Sequence, residues 1–132
     1  MDEERIHLLI AAAKRAREAA YAPYSRFYVG AAALGADGVI YEGCNVENSS
    51  YGLSCCAERN AIFHGVAAGC RKFEAVAIVG SADDTMPCGA CRQVMAEFGV
   101  SYVVTTRADG AFRVLPLQEL LPFAFTLQEE IE

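Results

Sequence analysis

The stretches CAER at residues 56–59 and PCGAC at residues 87–91 decide how the rest of the chain must fold. Cys88 and Cys91 have the C-x-x-C spacing with which two sulfur atoms at a loop-to-helix junction reach one metal ion. Cys56 supplies a third thiolate, and no second C-x-x-C pair or suitably placed histidine offers a fourth ligand. Catalytic zinc takes three protein ligands in tetrahedral geometry and keeps the fourth position for water or substrate. The sequence therefore predicts a zinc site with one coordination position left open for water. Glu58 is placed to act as an acid/base at that position and not as a ligand.

Both stretches stand at the predicted N-termini of helices that each follow a loop. Apolar residues recur at three- and four-residue spacing near the front of the chain, which is typical of an amphipathic helix, and short β-rich runs follow. The order α-β-β-α-β-α-β-β-α indicates an α/β fold, with a mixed sheet of about five strands covered by helices. Because a helix N-terminus stabilises thiolate over thiol, this order brings three ionised sulfurs together. The predicted helices cover 2–21, 55–68, 88–98 and 117–121, and the predicted strands cover 27–34, 39–45, 73–80, 102–106 and 112–115.

Composition narrows the class of protein. The 132 residues fit one domain, and no apolar run approaches the length of a membrane span. The acidic first residues lead into an amphipathic pattern, so we expect no secretory signal. A net charge of −6 argues against a nucleic-acid partner, because such proteins usually carry a basic face. Six cysteines without a signal indicate reduced thiols in the cytoplasm, and we interpret Cys44, Cys55 and Cys70 as small buried apolar residues.

These motifs together resemble the cytidine deaminase family. The zinc-deaminase signature is C-A-E followed by P-C-x-x-C, with Cys or His as the first ligand. The resemblance extends to APYSRF at 22–27, NVEN at 45–48 and ELLP at 119–122, and so covers nearly the whole chain. It is closest to the short, homotetrameric nucleoside deaminases with three zinc-ligating cysteines.

The resemblance implies both an architecture and an activity. The expected fold is a three-layer α-β-α sandwich formed by residues 1–132 as a single domain. The expected reaction is the zinc-dependent hydrolytic deamination of cytidine and deoxycytidine to uridine and deoxyuridine plus ammonia, a step of pyrimidine salvage. We expect one zinc ion per subunit, a nucleoside substrate, no nucleic-acid or membrane partner, and a homotetramer whose sites are shared between subunits.

Two charged residues after Cys56 have predicted roles in catalysis. Three thiolates on one divalent zinc leave a formal charge near −1, which weakens the pull of the metal on a bound water. Arg59 is the first candidate to offset that charge by hydrogen-bonding the sulfurs, and Arg92 is the second. Glu58 is expected to take a proton from the water and to pass protons to the ring nitrogen and the leaving amine.

The substrate contacts are predicted mainly from the segments outside the two cysteine stretches. Asn45 and Glu47 alternate along the end of a strand, so their side chains leave on the same face, and an amide with a carboxylate can hold ribose hydroxyls. The resemblance places them on the 3′-hydroxyl. The further predicted binding residues are Phe27 against the base, Ala57, Tyr51 near the sugar or a subunit interface, and Phe125 in the site of a neighbouring subunit, with Phe123 as the alternative ring.

Four other hypotheses remain open at this point. The substrate could be a different aminopyrimidine, such as an aminoacyl-nucleoside antibiotic. A structural zinc module predicts a closed site with four ligands. A thiol-disulfide protein would use Cys88 and Cys91 but leaves Cys56 and Glu58 unexplained. Editing of polynucleotides is disfavoured by the acidic balance.

Overall fold

A computed structural model describes residues 1–127, which contain four α-helices and five strands in the predicted order, with a single 3-10 turn at Tyr51–Leu53. The helices are α1 (Glu3–Arg17), α2 (Ala57–Ala67), α3 (Gly89–Glu97) and the short α4 (Leu117–Leu120). The strands are β1 (Gly30–Gly35), β2 (Ile40–Cys44), β3 (Phe73–Val79), β4 (Tyr102–Thr106) and β5 (Phe112–Pro116). None of these helices has both the length and the apolar character that a membrane span needs.

The five strands form one mixed sheet with the order β2-β1-β3-β4-β5. Strand β1 pairs antiparallel with β2 and with β3, and β5 pairs antiparallel with β4. Strands β3 and β4 are parallel, as a crossover through α3 requires. The stretch GADG at 35–38, between the first two predicted strands, predicts a tight hairpin. The structure confirms it, since β1 and β2 are joined by a tight turn with Gly38 at φ 83°.

Helices cover both faces of the sheet. Side chains alternate between the faces of a strand, and in β1 this divides Ala32 and Leu34 from Ala31 and Ala33. The first pair packs in one buried cluster with the apolar face of α1, and the second pair lies in another with α2 and α3. The predicted three-layer α-β-α sandwich with a mixed five-stranded sheet is confirmed.

The start of α2 lies directly on β2, because the sheet offers a glycine at the point of contact. A Cβ atom on Gly43 would stand 2.3 Å from the backbone nitrogen of Ala61 and 2.7 Å from the carbonyl oxygen of Ala57. Only glycine allows this approach, and it fixes the first turn of α2 against the sheet. The residues around Cys56 are thereby positioned by backbone packing.

Helix α1 ends at Arg17 and not near the predicted Tyr21. Of the three cysteines predicted to be buried, Cys70 is buried, but Cys44 and Cys55 are only partly buried.

Two further local features differ from the prediction. Strand β1 begins at Gly30, because the backbone of residues 27–29 bonds largely to the side chains of Asn45 and Ser81 instead of to a strand. Ser54, just before the second predicted helix, is the N-cap that the sequence favours. In the structure the N-cap of α2 is Cys56 instead, and the Ser54 hydroxyl accepts from the N–H of Asn48. A sulfur therefore takes the position that a capping hydroxyl usually occupies.

Candidate active site and metal centre

Three cysteine sulfurs meet where α2 and α3 begin. Cys56 is the N-cap of α2 and Cys88 the N-cap of α3, and Cys91 lies in the first turn of α3. The Sγ atom of Cys88 is 3.8 Å from that of Cys56 and 3.5 Å from that of Cys91, and all three lie within 4.8 Å of one another. A tetrahedral zinc ion with Zn–S bonds of about 2.3 Å separates its sulfur ligands by about 3.8 Å. The three sulfurs therefore fit zinc, as the sequence predicted.

The electrostatic surroundings favour thiolate at Cys56. Hydrogen bonds from the thiol of Cys91 and from Arg59 lower the pKa of Cys56, against the opposing effect of burial. The pKa of Cys91 is raised in turn, because its thiol bonds to Cys56 and is buried. The Nη2 atom of Arg59 is 3.5 Å from the Cys56 sulfur, and this contact raises the pKa of Arg59. A guanidinium therefore lies against a sulfur, as predicted for Arg59.

Glu58 is a buried acid in the first turn of α2. Only 4% of its surface is exposed, and burial raises its pKa to about 7. A hydrogen bond with its own backbone N–H favours the ionised form of Glu58, whereas the neighbouring Cys56 sulfur disfavours it. A carboxyl group poised near neutral pH can both accept and donate a proton under ordinary conditions.

An open cleft of about 280 Å³ connects the sulfurs with the predicted substrate contacts. Cys56, Ala57, Glu58 and Cys88 line it from the two helices. Seven of the predicted site residues meet in this cleft, since Phe27, Asn45 and Glu47 line it as well. Ser25, Val29, Thr85 and Met86 complete the lining and were not predicted as site residues.

Asn45 is held by the backbone on the opposite side of the cleft. Its Oδ1 accepts from the N–H of Val29 at 2.9 Å, and its Nδ2 donates to the carbonyl of Phe27 at 2.8 Å. The side chain amide thus clamps the segment that carries Phe27, whose side chain is 37% exposed. One amide hydrogen of Asn45 remains available for a ligand.

Glu47 is fixed by the loop that precedes this segment. Its carboxylate accepts from the N–H groups of Tyr24 and Ser25 at 3.0 and 3.1 Å, and from the Ser25 hydroxyl. The Ser25 hydroxyl is the main reason that the pKa of Glu47 lies below its usual range. Ser25 is thus a functional candidate that was not among the predicted site residues. The only signal for it was its place in the APYSRF stretch.

Two predicted binding residues do not line this cleft. Tyr51 borders a neighbouring cavity of about 250 Å³, together with Tyr24, Ser25, Glu47 and Ser54, and is 74% exposed. Phe125 is 69% exposed, and its carbonyl accepts from the side chain of Gln93. Arg92, the second arginine considered for the sulfurs, donates instead to the carbonyls of Pro87 and Leu120.

Comparison with known proteins shows which family the chain resembles. The family described as "Cytidine and deoxycytidylate deaminase zinc-binding region" matches residues 3–107. The chain is 49% identical over 132 residues to a cytidine deaminase of Sporosarcina psychrophila, covering 98% of this chain and 95% of that protein. It is 47% identical over 125 residues to a cytidine deaminase of Halalkalibacterium halodurans, covering 92% and 95%.

Solved structures agree with the sequence matches. A crystal structure of cytidine deaminase from Burkholderia pseudomallei superposes with a TM-score of 0.86 at 54% identity, covering 95% of this chain and all of that one. A second, from Mycobacterium tuberculosis, gives 0.80 at 43% identity, with 92% and 98% covered. With this fold, the three-cysteine zinc cluster and relatives of nearly the same length, the chain belongs to the cytidine deaminase family.

Proposed function

We propose that the protein deaminates cytidine and deoxycytidine by hydrolysis, giving uridine and deoxyuridine plus ammonia. The observation that carries this proposal is the cleft itself. On one side it presents two zinc-binding cysteines with a buried carboxyl group, and on the other an aromatic ring, an amide and a carboxylate. Its volume lies near the lower end of small-molecule pockets, which agrees with a nucleoside substrate.

Glu58 is the residue that moves protons in this proposal. Cys56, Cys88 and Cys91 would hold the zinc ion, which would supply a nucleophile by lowering the pKa of a water molecule towards neutrality. Glu58 accepts the proton that the water loses, because a pKa of about 7 allows both uptake and release near neutral pH. It passes this proton to ring nitrogen N3 as the water oxygen bonds to C4. It then carries the second water proton to the amine, the C4–N bond breaks, and ammonia leaves.

The opposite wall of the cleft binds the nucleoside. Asn45 and Glu47 are held rigidly by backbone groups yet retain one amide hydrogen and free carboxylate lone pairs, which suits a ribose hydroxyl that both donates and accepts. The half-exposed ring of Phe27 offers a face to the base, and Ala57 forms the floor beside Glu58. The backbone N–H groups of the first turn of α2 have no partner within the helix, so they too can donate to the substrate.

We propose that the sites are shared within a homotetramer. Phe125 and Phe123 are 69% and 105% exposed and lie outside the cleft of their own subunit, while Tyr51 and Leu53 are 74% and 70% exposed. Large exposed apolar side chains of this kind are typical of a surface that another subunit covers. Phe125 is the ring that we assign to the neighbouring cleft. Light scattering of the purified protein tests this assembly, and a monomer would refute it.

The setting of the enzyme is also part of the proposal. We propose that residues 1–132 form a single domain that acts in the cytoplasm on free nucleosides and not on nucleic acid. The net charge of −6 disfavours a phosphate backbone as partner. None of the six cysteines forms a disulfide, which fits a reducing compartment.

The decisive experiment follows the ultraviolet change on mixing purified protein with cytidine or deoxycytidine. We expect the wild type to convert both, and a Glu58→Gln variant with equal zinc to lose about 10²- to 10⁴-fold in kcat. Glu74→Gln is the matched control, because Glu74 lies outside the cleft and its side chain makes a 3.9 Å ion pair with Arg5. A folded, zinc-loaded wild type that leaves both substrates unchanged would refute the proposal, and a panel of other aminopyrimidines would then be tested.

A further inference from the structure

Cys88 and Cys91 are held in different ways, although both belong to the same short motif. Cys91 is fully buried in the core cluster beneath α2 and α3, so packing fixes its side chain. Cys88 is exposed, and no core packing surrounds it. The position of its sulfur must therefore be set by the backbone on either side, which begins with Pro87.

Arg92 holds that backbone. Its Nε donates to the carbonyl of Pro87 at 2.8 Å, and its Nη1 donates to the carbonyl of Leu120 at 2.8 Å. The Pro87 carbonyl belongs to the peptide bond that leads into Cys88, so its direction determines where the Cys88 side chain leaves the chain. Leu120 is the last residue of α4, where helical carbonyls lack partners within the helix. One planar guanidinium thus joins the segment Pro87–Cys88, which we call the metal loop, to the end of α4.

The residue after Arg92 holds the same C-terminal segment further along. Gln93 Nε2 donates to the carbonyl of Phe125 at 3.0 Å. Residues 121–125, which carry the exposed Phe123 and Phe125, are therefore attached to α3 at both ends. A shift of Arg92 would move the metal loop and the start of the segment 121–125 together.

We propose that Arg92 is a positioning residue that fixes the Cys88 sulfur for zinc and couples the metal loop to the segment carrying Phe125. This proposal rests on the zinc role of Cys88 in the proposed function. Arginine is required because only a fork of donors can reach two carbonyls at once. Partners that orient metal ligands typically contribute about 10- to 100-fold in metal affinity or activity.

Zinc affinity, measured by competition with a chromophoric chelator, tests the proposal without any need for turnover. We expect Arg92→Gln to bind zinc about 10-fold more weakly than the wild type, and Arg92→Lys to lie between them because an ammonium reaches one carbonyl at a time. Gln93→Ala should keep the zinc affinity of the wild type and raise KM with little change in kcat. Arg71→Gln is the matched control, because it removes an arginine bond to the carbonyl of Val66 at the other end of α2.

The results distinguish a failure of the role of Arg92 from a failure of the proposed deaminase function. A wild type that binds no zinc refutes the proposed function. A wild type that binds zinc, together with an Arg92→Gln variant of equal affinity, overturns only the role of Arg92. An equal loss in Arg71→Gln would overturn it too, since the effect would then be one of general stability. If Arg92→Gln fails to fold, Arg92→Lys decides, and wild-type zinc affinity in that variant overturns the proposal.

Discussion

Replacing Gly43 by alanine should displace the catalytic end of α2 without touching a single side chain of the site. A Cβ at this position meets the backbone nitrogen of Ala61 at 2.3 Å, the carbonyl oxygen of Ala57 at 2.7 Å and the Cα of Ala61 at 2.8 Å. These atoms are backbone, so no flexible side chain can rotate away. The helix itself has to move.

The size of the movement follows from these distances. Ordinary van der Waals contact begins at 3.4 Å, so the first turn of α2 must retreat by about 1 Å from β2. Overpacking of this kind costs about 1–3 kcal/mol of unfolding free energy. Because Glu58 and Cys56 flank Ala57, they move with it. A misplacement of about 1 Å at reacting groups lowers turnover by about 10²-fold.

Gly65→Ala provides a matched control on the same helix. A Cβ there meets the ring of Phe73 at 2.6 and 2.7 Å, so the substitution also overpacks the core, but at the opposite end of α2 from the site. Unfolding in urea should show a loss of stability for both variants. Only Gly43→Ala should lose about 10²-fold in kcat/KM for cytidine, measured below the unfolding temperature of every variant.

Two results would refute this reasoning. Gly43→Ala with the kcat/KM of the wild type would mean that contact with β2 does not position the site. An equal loss of kcat/KM in Gly65→Ala would mean that lower stability, and not displacement, reduces turnover.

Three further predictions concern the charges of the site. Arg59→Gln should weaken zinc binding by about 10-fold in a chelator competition, because the Cys56 thiolate loses its guanidinium partner, and unchanged affinity would contradict this. Ser25→Ala should raise the pKa of Glu47 towards its ordinary 4.5. The depressed pKa of Glu47 stabilises the folded wild type above about pH 4.5, and this stabilisation is lost as the pH falls through the pKa that Glu47 has in the folded protein. The difference in unfolding free energy between the wild type and Ser25→Ala should therefore shrink from pH 7 to pH 3 in urea unfolding. Zinc binding to chelator-treated protein should release protons, because the pKa of Cys91 is raised and its thiol must ionise to bind the metal. Titration calorimetry in buffers of different ionisation enthalpy should count fewer released protons for a Cys91→Ser variant, and an equal count would contradict the role of Cys91 as a ligand.

The metal site was predictable because its information is local. C-x-x-C places Cys88 and Cys91 one helical turn apart, and CAE places Glu58 in the first turn after Cys56. The strands were predictable for a similar reason, since the apolar run at 73–79 and the turn at Gly38 are signals within a few residues. What had to be inferred was only that the two helix starts meet, and a sheet with the β3-α3-β4 crossover brings this about.

The long-range hydrogen bonds that hold the site residues in place were not predictable in this way. Asn45 bonds to the backbone of Phe27, and Ser81 to that of Tyr28, across separations of 18 and 53 residues. Hydrophobic periodicity and secondary-structure propensity do not predict such pairs, because each pair is a single contact between a side chain and a distant carbonyl or N–H. The same applies to Arg92, whose sequence position suggested the sulfurs while its contacts lie with Pro87 and Leu120.

The charges of the site explain why its parts depend on one another. Three thiolates and the Glu58 carboxylate oppose a divalent zinc ion and the single positive charge of Arg59, which leaves a formal charge of about −1. The N-termini of α2 and α3 each contribute roughly +0.5, and together they bring the sum close to zero. Neutrality matters here because Glu58 and Cys91 are buried, where an unpaired charge is costly. Removing zinc or Arg59 should therefore push the remaining acids to take up protons, and a carboxyl group that stays protonated can no longer accept one from water.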